Sequence, residues 1–485
     1  MASYPHSRLY RYRPIERDFV CYGSMDSEQK YPSHMAVDAY GWIYIGMGTS
    51  KKTIIAYHPH SGVLQSLIED KWRSIGIGRV RQGPDYQAYA QIGEQWGRVE
   101  QGMVVETLPE DQVPASLYTG VSFGKFHRQL PGEWKVVSHS LSDRELIMEH
   151  QWTGEVKVLN LRYRSEGAAL SPIVLGPDKK IYGTSNHPLH FYVCTPSDNG
   201  EVRIVNGGAR VIQHGAGGNI AAYAVQGNFL LGAAYTEGRL HLYDVTKPMD
   251  LSDSQFRNPI CVTEHVEIHR PRCAVAISDG EHIAYGGFPG YGMVGGGLCL
   301  YHLPSGSDRL IPHTRLIPDQ STVALAEAQD VTLVAGTSVE TPGGAEPKAK
   351  TACLYVLDCQ SQTILRSWQL RKGIREYSLL LIDPRGWIHT LSSCCTYFVW
   401  DPVNEAIVHE ADLSAWGTVV RQGWQLCTED QCIYGVMSDA VFRIPLHSLQ
   451  PERVAVPPSE ITAGFVKLNR ELWFAISTHL WSYSI

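Results

Sequence analysis

The sequence predicts an all-β fold, a single β-propeller of four-stranded antiparallel blades. Three observations predict it: a strand-turn-strand-strand phrase that recurs with variations, turns that carry Gly, Pro and Asp in repeated places, and a spacing between copies of roughly 40–55 residues. Copies read SHMAVDAYGWIYIGMGTSKKTIIAYHP from Ser33, LSPIVLGPDKKIYGTSNHPLHFYV from Leu170 and NIAAYAVQGNFLLGAAYTEGRLHLYDV from Asn219. Further copies are CAVAISDGEHIAYGGFPGYGMVGGGLCLYHL from Cys273 and YSLLLIDPRGWIHTLSSCCTYFVWD from Tyr377.

Within a unit, the first strand is nearly all apolar, as a strand lining an inner wall should be. A turn follows, GPDKK at Gly176, SDGEH at Ser278 or DPRGW at Asp383, in which Gly, Pro and Asp supply the required backbone angles and side-chain caps. The second strand ends in small residues, and the third ends in a Tyr-Asp or Trp-Asp corner. Units begin near Ser33, Leu170, Asn219, Cys273, Thr322, Tyr377, Thr418 and Ile461. Residues 71–167 are harder to parse and read as two degenerate units or one unit with an insertion. Eight blades are expected, within a range of seven to ten.

The C-terminal GFVKLNRELWFAISTHLWSYSI supplies three strands, and residues 8–20 are expected to add the missing outer strand and so protect the edge. No Pro/Gly/Ser linker divides residues 1–485, which read as one domain. ETPGGAEPKAK from Glu340 reads as an exposed loop.

The chain has 485 residues and a net charge of −7, with no basic run. Nucleic acid is therefore not an expected partner. No stretch approaches a transmembrane span, so no membrane partner is expected. The N-terminal MASYPHSRLYRYRPIERDF lacks an apolar leader, and the 11 cysteines are odd in number and scattered through strands. Both features read as reduced thiols in a cytoplasmic protein, or a secreted one if a leader has been removed.

In a propeller, the loops entering the innermost strands and those joining second to third strands share one face, around the mouth of the central channel. Entering inner strands are His34, His214, Arg270, Arg272, Arg375 and Tyr377; between second and third strands lie Asn186, His187, His190, Glu237, Tyr291 and Cys394. His, Arg and Tyr dominate this face, whereas the opposite face collects turn residues such as Asp178, Gln226 and Asp279. A His/Tyr/Arg set suits proton abstraction beside a carboxylate: imidazole removes the α-proton, Arg stabilises the enolate and Tyr protonates the leaving oxygen. The product chemistry is β-elimination on a uronic-acid-containing sugar.

The expected catalytic set is His187, Tyr291 and Arg272. His34, His190, His214, Arg270, Arg375, Tyr377 and Asn186 are expected to bind substrate. No cofactor is expected. Histidines from separate blades could hold a divalent ion, but no H-E-x-x-H or C-x-x-C spacing supports one. The run GGFPGYGMVGGG contains G-x-G-x-x-G at Gly290, Gly292 and Gly295, but LCLYHL follows it as a strand rather than a helix, so it is no dinucleotide site. It reads instead as a close-approach loop carrying Tyr291.

With its GPDKKIYG-type repeats and His/Tyr/Arg face, the chain resembles the propeller-fold carbohydrate-active enzymes. These are the ulvan-type polysaccharide lyases, rhamnose–glucuronate lyases and related rhamnosidases. The resemblance implies a lyase with His as base, Tyr as acid and Arg against the carboxylate, acting on an acidic oligosaccharide. A non-catalytic propeller serving as an interaction or sensing platform is the alternative reading. A glycoside hydrolase, which would need two opposed carboxylates, is a third.

Overall fold

The computed structural model describes residues 2–3, 6–119, 126–140, 144–163, 167–186, 189–196, 202–206, 218–249, 258–329 and 331–485. Among these the chain is all-β, with eleven antiparallel sheets of three or four strands, one two-stranded ribbon and five single-turn 3-10 segments. No helix among the described residues is long and apolar enough to cross a membrane. All eleven cysteines are free. Two compact units are present: Met1–Ser165 with the short pieces Tyr291–Met293 and Pro342–Ala345, and Glu166–Gly290 with Val294–Thr341 and Glu346–Ile485.

In the first unit, residues 71–167 contain two four-stranded sheets. One runs through Val80–Gln82, Ala88–Ile92, Gln95–Glu100 and Met103–Leu108; the other through Gln129–Leu130, Trp134–Ser140, Glu145–His150 and Val156–Asn160. Residues 8–20 do not join the C-terminal sheet in the described pairing. Arg8–Arg13 pairs with Asp18–Ser24 and with Ala2–Ser3, and the sheet of Ala463–Leu468, Glu471–Ile476 and His479–Ser484 has three strands. A short turn with Arg17 at φ 55 closes the local hairpin. Closing it costs less chain entropy than pairing with the far end of the sequence.

Among the described residues the second unit holds seven sheets, six of four strands and the C-terminal one of three, each a simple meander. Their first strands are Leu170–Leu175, Asn219–Gln226, Arg270–Ala276, Ser321–Glu327, Tyr377–Ile382, Val419–Cys427 and Ala463–Leu468. Each lies beside the next in chain order, and the seventh lies beside the first.

The apolar core is divided in the same way, with one cluster between each pair of neighbouring sheets. Tyr182 and Phe191 of the first sheet pack on Tyr223 and Leu230 of the second, and Leu231 and Leu240 on Ile283 and Tyr285 of the third. Leu298 meets Leu333 and Tyr355, Leu354 meets Tyr377 and Phe398, and Tyr397 meets Phe442. Val436 packs with Phe474. The circuit returns on itself where Val466 and Trp473 of the seventh sheet pack on Ile173 and Tyr192 of the first.

Close sheet spacing needs small residues at the contact. A Cβ on Gly336, in the second strand of the fourth sheet, would stand 3.0 Å from the Tyr377 Cβ and carbonyl oxygen of the fifth.

The repeated turn phrase has a local cause. Tyr44 donates its hydroxyl to Asp38 at 2.9 Å, Tyr89 to Asp85 at 2.6 Å and Tyr182 to Asp178 at 2.9 Å. The turn Asp thus ties the first-to-second connection to the strand that leaves it. In DPRGWIH the tyrosine is replaced by His389, whose Nε2 lies 3.2 Å from Asp383 while its Nδ1 lies 2.7 Å from the Tyr397 hydroxyl.

Candidate functional site

Each of the seven first strands in the second unit carries a register shift near its start, between Leu170 and Ile173, Ile220 and Ala222, Pro271 and Cys273, Thr322 and Ala324, Tyr377 and Leu379, Val419 and Trp424, and Ala463 and Val466. A β-bulge bends its strand and re-aims the extra side chain. In the second to fifth sheets a single residue is extra: Ala221, Arg272, Val323 and Ser378. Arg272 is the extra residue of the third sheet and Ser378 that of the fifth. In the sixth, the six residues from Val419 to Trp424 span only the three from Met437 to Gly435 on the partner strand. The excess frees Arg421 and Gln422 from the ladder, with Gln422 at φ 49.

The charges so displaced act on one another. Burial, reinforced by the charge of Arg421, pushes the Arg272 guanidinium down to about 9. Burial lowers Arg421 as well, and the carboxylate of Glu376 opposes the shift in both. Arg421 is accessible to water yet densely enclosed by protein atoms, the condition of a group facing a narrow wet space. Arg272 donates to the Pro271 carbonyl at 3.0 Å and lies 4.9 Å from the Phe288 ring. Glu376 accepts a 2.6 Å bond from the Ser378 hydroxyl. Among the described residues no carboxylate forms an ion pair with Arg272 or Arg421. Arg270, 9% exposed, adds a third guanidinium over the Tyr235 ring at 5.4 Å. The result is a cluster with an excess of positive charge.

The residues expected from the sequence fall in different surroundings. His187 and His214 lie outside the described residues. Arg272 is at the cluster, whereas Tyr291 belongs to the first unit, its ring edge-on to Tyr31 at 5.6 Å. Asn186 and His190 are half-buried, and their backbones close the loop: Asn186 N donates to the Ala169 carbonyl at 2.7 Å, and His190 N to the Ser185 hydroxyl at 3.0 Å.

Arg375 is exposed and paired with Glu340 at 2.5 Å. Tyr377 is fully buried and packs between sheets, its ring 6.5 Å from that of Phe398, with the bulge immediately after it at Ser378. His34, in the first unit, is exposed with Nδ1 2.8 Å from the Ser33 hydroxyl. It borders a cavity of about 350 Å³ lined also by Arg79, Arg81, Trp96 and Tyr118.

Sequence reading missed Arg421 and Ser378. Their signal is positional: each sits where the repeat inserts an extra residue into an inner strand. Searches against protein-family models and against curated proteins give no match for this chain.

Proposed function

We propose that the second unit is a seven-bladed β-propeller, rather than the eight blades expected from the repeat count, and that it binds an acidic ligand at its axis. The single observation that carries this reading is the pair of enclosed guanidiniums, Arg272 and Arg421, raised out of their ladders by bulges and sharing one carboxylate. Their strands are the third and sixth of seven, so the two charges approach from well-separated parts of the circuit. Two guanidiniums against a single carboxylate leave one positive charge uncompensated, which is unfavourable, and a bound carboxylate relieves that cost through charge-assisted, bidentate hydrogen bonds.

A uronate-containing oligosaccharide supplies such a carboxylate. The reaction that follows is β-elimination: a guanidinium neutralises the uronate carboxylate and lowers the barrier to transferring the adjacent proton to a general base, the role the sequence reading gives His187. Electrons from that C–H bond form the C=C bond as the C–O bond to the leaving sugar breaks and its oxygen takes up a proton. A second reading, a ligand-sensing propeller without chemistry, is favoured by the make-up of the cluster, whose three guanidiniums hold an anion without themselves abstracting a proton.

The test incubates the purified protein with a panel of uronic-acid oligosaccharides, following binding by calorimetry and the near-ultraviolet absorbance of an unsaturated uronate. Binding and absorbance, both lost in Arg421→Met, support the lyase. Binding without absorbance supports the sensing propeller, and no binding of any uronate overturns the acidic-ligand reading.

A further inference from the structure

A second cluster lies where the second and third sheets of the second unit meet, independent of the guanidinium pair. Cys299 is in the third strand of the third sheet, and Asp308 in the fourth. Their ladder sets Tyr301 opposite Asp308, and the two-residue period puts Cys299 on the same face. That face meets the end of the strand Ile260–Thr263 and the turn after it, which carries His265. The turn is tied down by the His265 N–H donating to the Glu237 carbonyl at 2.9 Å. Gly238, at φ +61, leaves the space this needs, since a Cβ there would stand 2.5 Å from the His265 carbonyl oxygen.

The donor atoms converge. His265 Nε2, Cys299 Sγ and the Asp308 carboxylate all lie within 4.8 Å of one another. His265 Nε2 is hydrogen-bonded to Asp308 Oδ2, the Thr263 hydroxyl donates to that same oxygen at 2.7 Å, and Cys299 Sγ approaches it to 3.9 Å. Tetrahedral zinc, with bonds of roughly 2.0 Å to nitrogen or oxygen and about 2.3 Å to sulfur, holds its donors roughly 3.3–3.8 Å apart. The sulfur–oxygen spacing is already close to this, and only the His–Asp pair has to open for an ion to sit between them. Cys299 is fully buried, whereas the His265 and Asp308 side chains keep 19% and 29% of their surface. The site therefore has an entrance on one side and an apolar wall on the other.

We infer that His265, Cys299 and Asp308 form a binding site for a borderline-soft divalent metal ion, zinc in the first place, with a fourth position left for water or a neighbouring donor. The ligand set mixes imidazole, thiolate and carboxylate, which zinc accepts and the hard cations calcium and magnesium do not. Burial pushes the Cys299 thiol up to about 12, so it is protonated in the metal-free protein and gives up that proton when the ion binds. The site ties the outer strands of adjacent sheets together, so its first effect is on stability.

The test titrates the full-length protein with cobalt(II) as a spectroscopic stand-in, and with zinc. The expected result is a thiolate-to-cobalt charge-transfer band in the near ultraviolet, saturating at one equivalent and displaced by zinc, with a zinc-dependent rise in melting temperature. Cys299→Ser and His265→Gln should each abolish the band; His265, which keeps some exposed surface, provides the variant less prone to misfolding than one at buried Cys299, and circular dichroism checks both. Cys394→Ser, remote from the site, should leave it intact. No band in the wild-type protein, or a band that survives Cys299→Ser, overturns the inference.

Discussion

Replacing Arg272 by Met should weaken ligand binding while making the ligand-free protein more stable. A guanidinium lowered from its ordinary 12.5 to about 9 by burial and by Arg421 carries an unfavourable charge on the order of 5 kcal/mol, at about 1.4 kcal/mol per pH unit. Against this, Arg272 gains about 1 kcal/mol from its bond to the Pro271 carbonyl and about 1 kcal/mol from the Phe288 ring. Met keeps the length and apolar stem, so the balance favours the variant by roughly 2–3 kcal/mol, a rise of several degrees in melting temperature.

Binding moves the other way. Losing one charge-assisted contact to a carboxylate costs about 1.5–3 kcal/mol, or roughly 10- to 150-fold in Kd. The assay pairs differential scanning calorimetry of the free protein with titration of a uronate oligosaccharide. The pH dependence has a definite sign. A lowered pKa means Arg272 is fully charged below about 9 and loses its proton above it, so affinity should hold through neutral pH and fall as pH rises through about 9. A variant that melts lower than wild type and binds equally well would refute the reasoning, and would make Arg272 a packing residue.

Two further outcomes are expected. The Asp383 carboxylate has no exposed surface; burial alone would raise its pKa, but bonds from His389, Arg385 and the Trp387 amide bring it down to about 2. Its stabilisation is therefore complete above pH ~4 and is lost as pH falls towards about 2. Asp383→Asn should remove about 2 kcal/mol at neutral pH and flatten the acid limb of a pH-stability curve measured by urea unfolding. Gly336→Ala should cost about 1–3 kcal/mol in the same assay, because the new methyl presses on backbone at Tyr377 that cannot swing aside.

The repeat was legible because its cause is local. The Asp178–Tyr182 and Asp38–Tyr44 bonds join residues four and six apart, so the turn chemistry survives as a phrase in the sequence. The same logic exposes GPDYQAY at Gly83, whose Asp85–Tyr89 bond marks a sheet within the stretch that resisted parsing. The bulges were not legible. Whether the six residues of Val419–Trp424 face six residues or three depends on the partner strand, and nothing in VVRQGWQLC announces it. The buried place of Tyr377 was not legible for the same reason, since one extra residue decides which side chain faces the core. His265, Cys299 and Asp308 share no recognisable spacing, because packing of two separate sheets brings them together.

The division of the core into seven sheet-to-sheet clusters bears on how the second unit is made. Six of those clusters join sheets that follow one another in the chain, so each can assemble soon after its second partner is synthesised. The seventh joins Ile173 and Tyr192 to Val466 and Trp473 and must wait for nearly the whole chain to emerge. Until then both flanking sheets expose apolar faces that match each other, and equally match those of a second nascent chain. The last step of folding is thus also the moment of greatest exposure to mispairing between molecules.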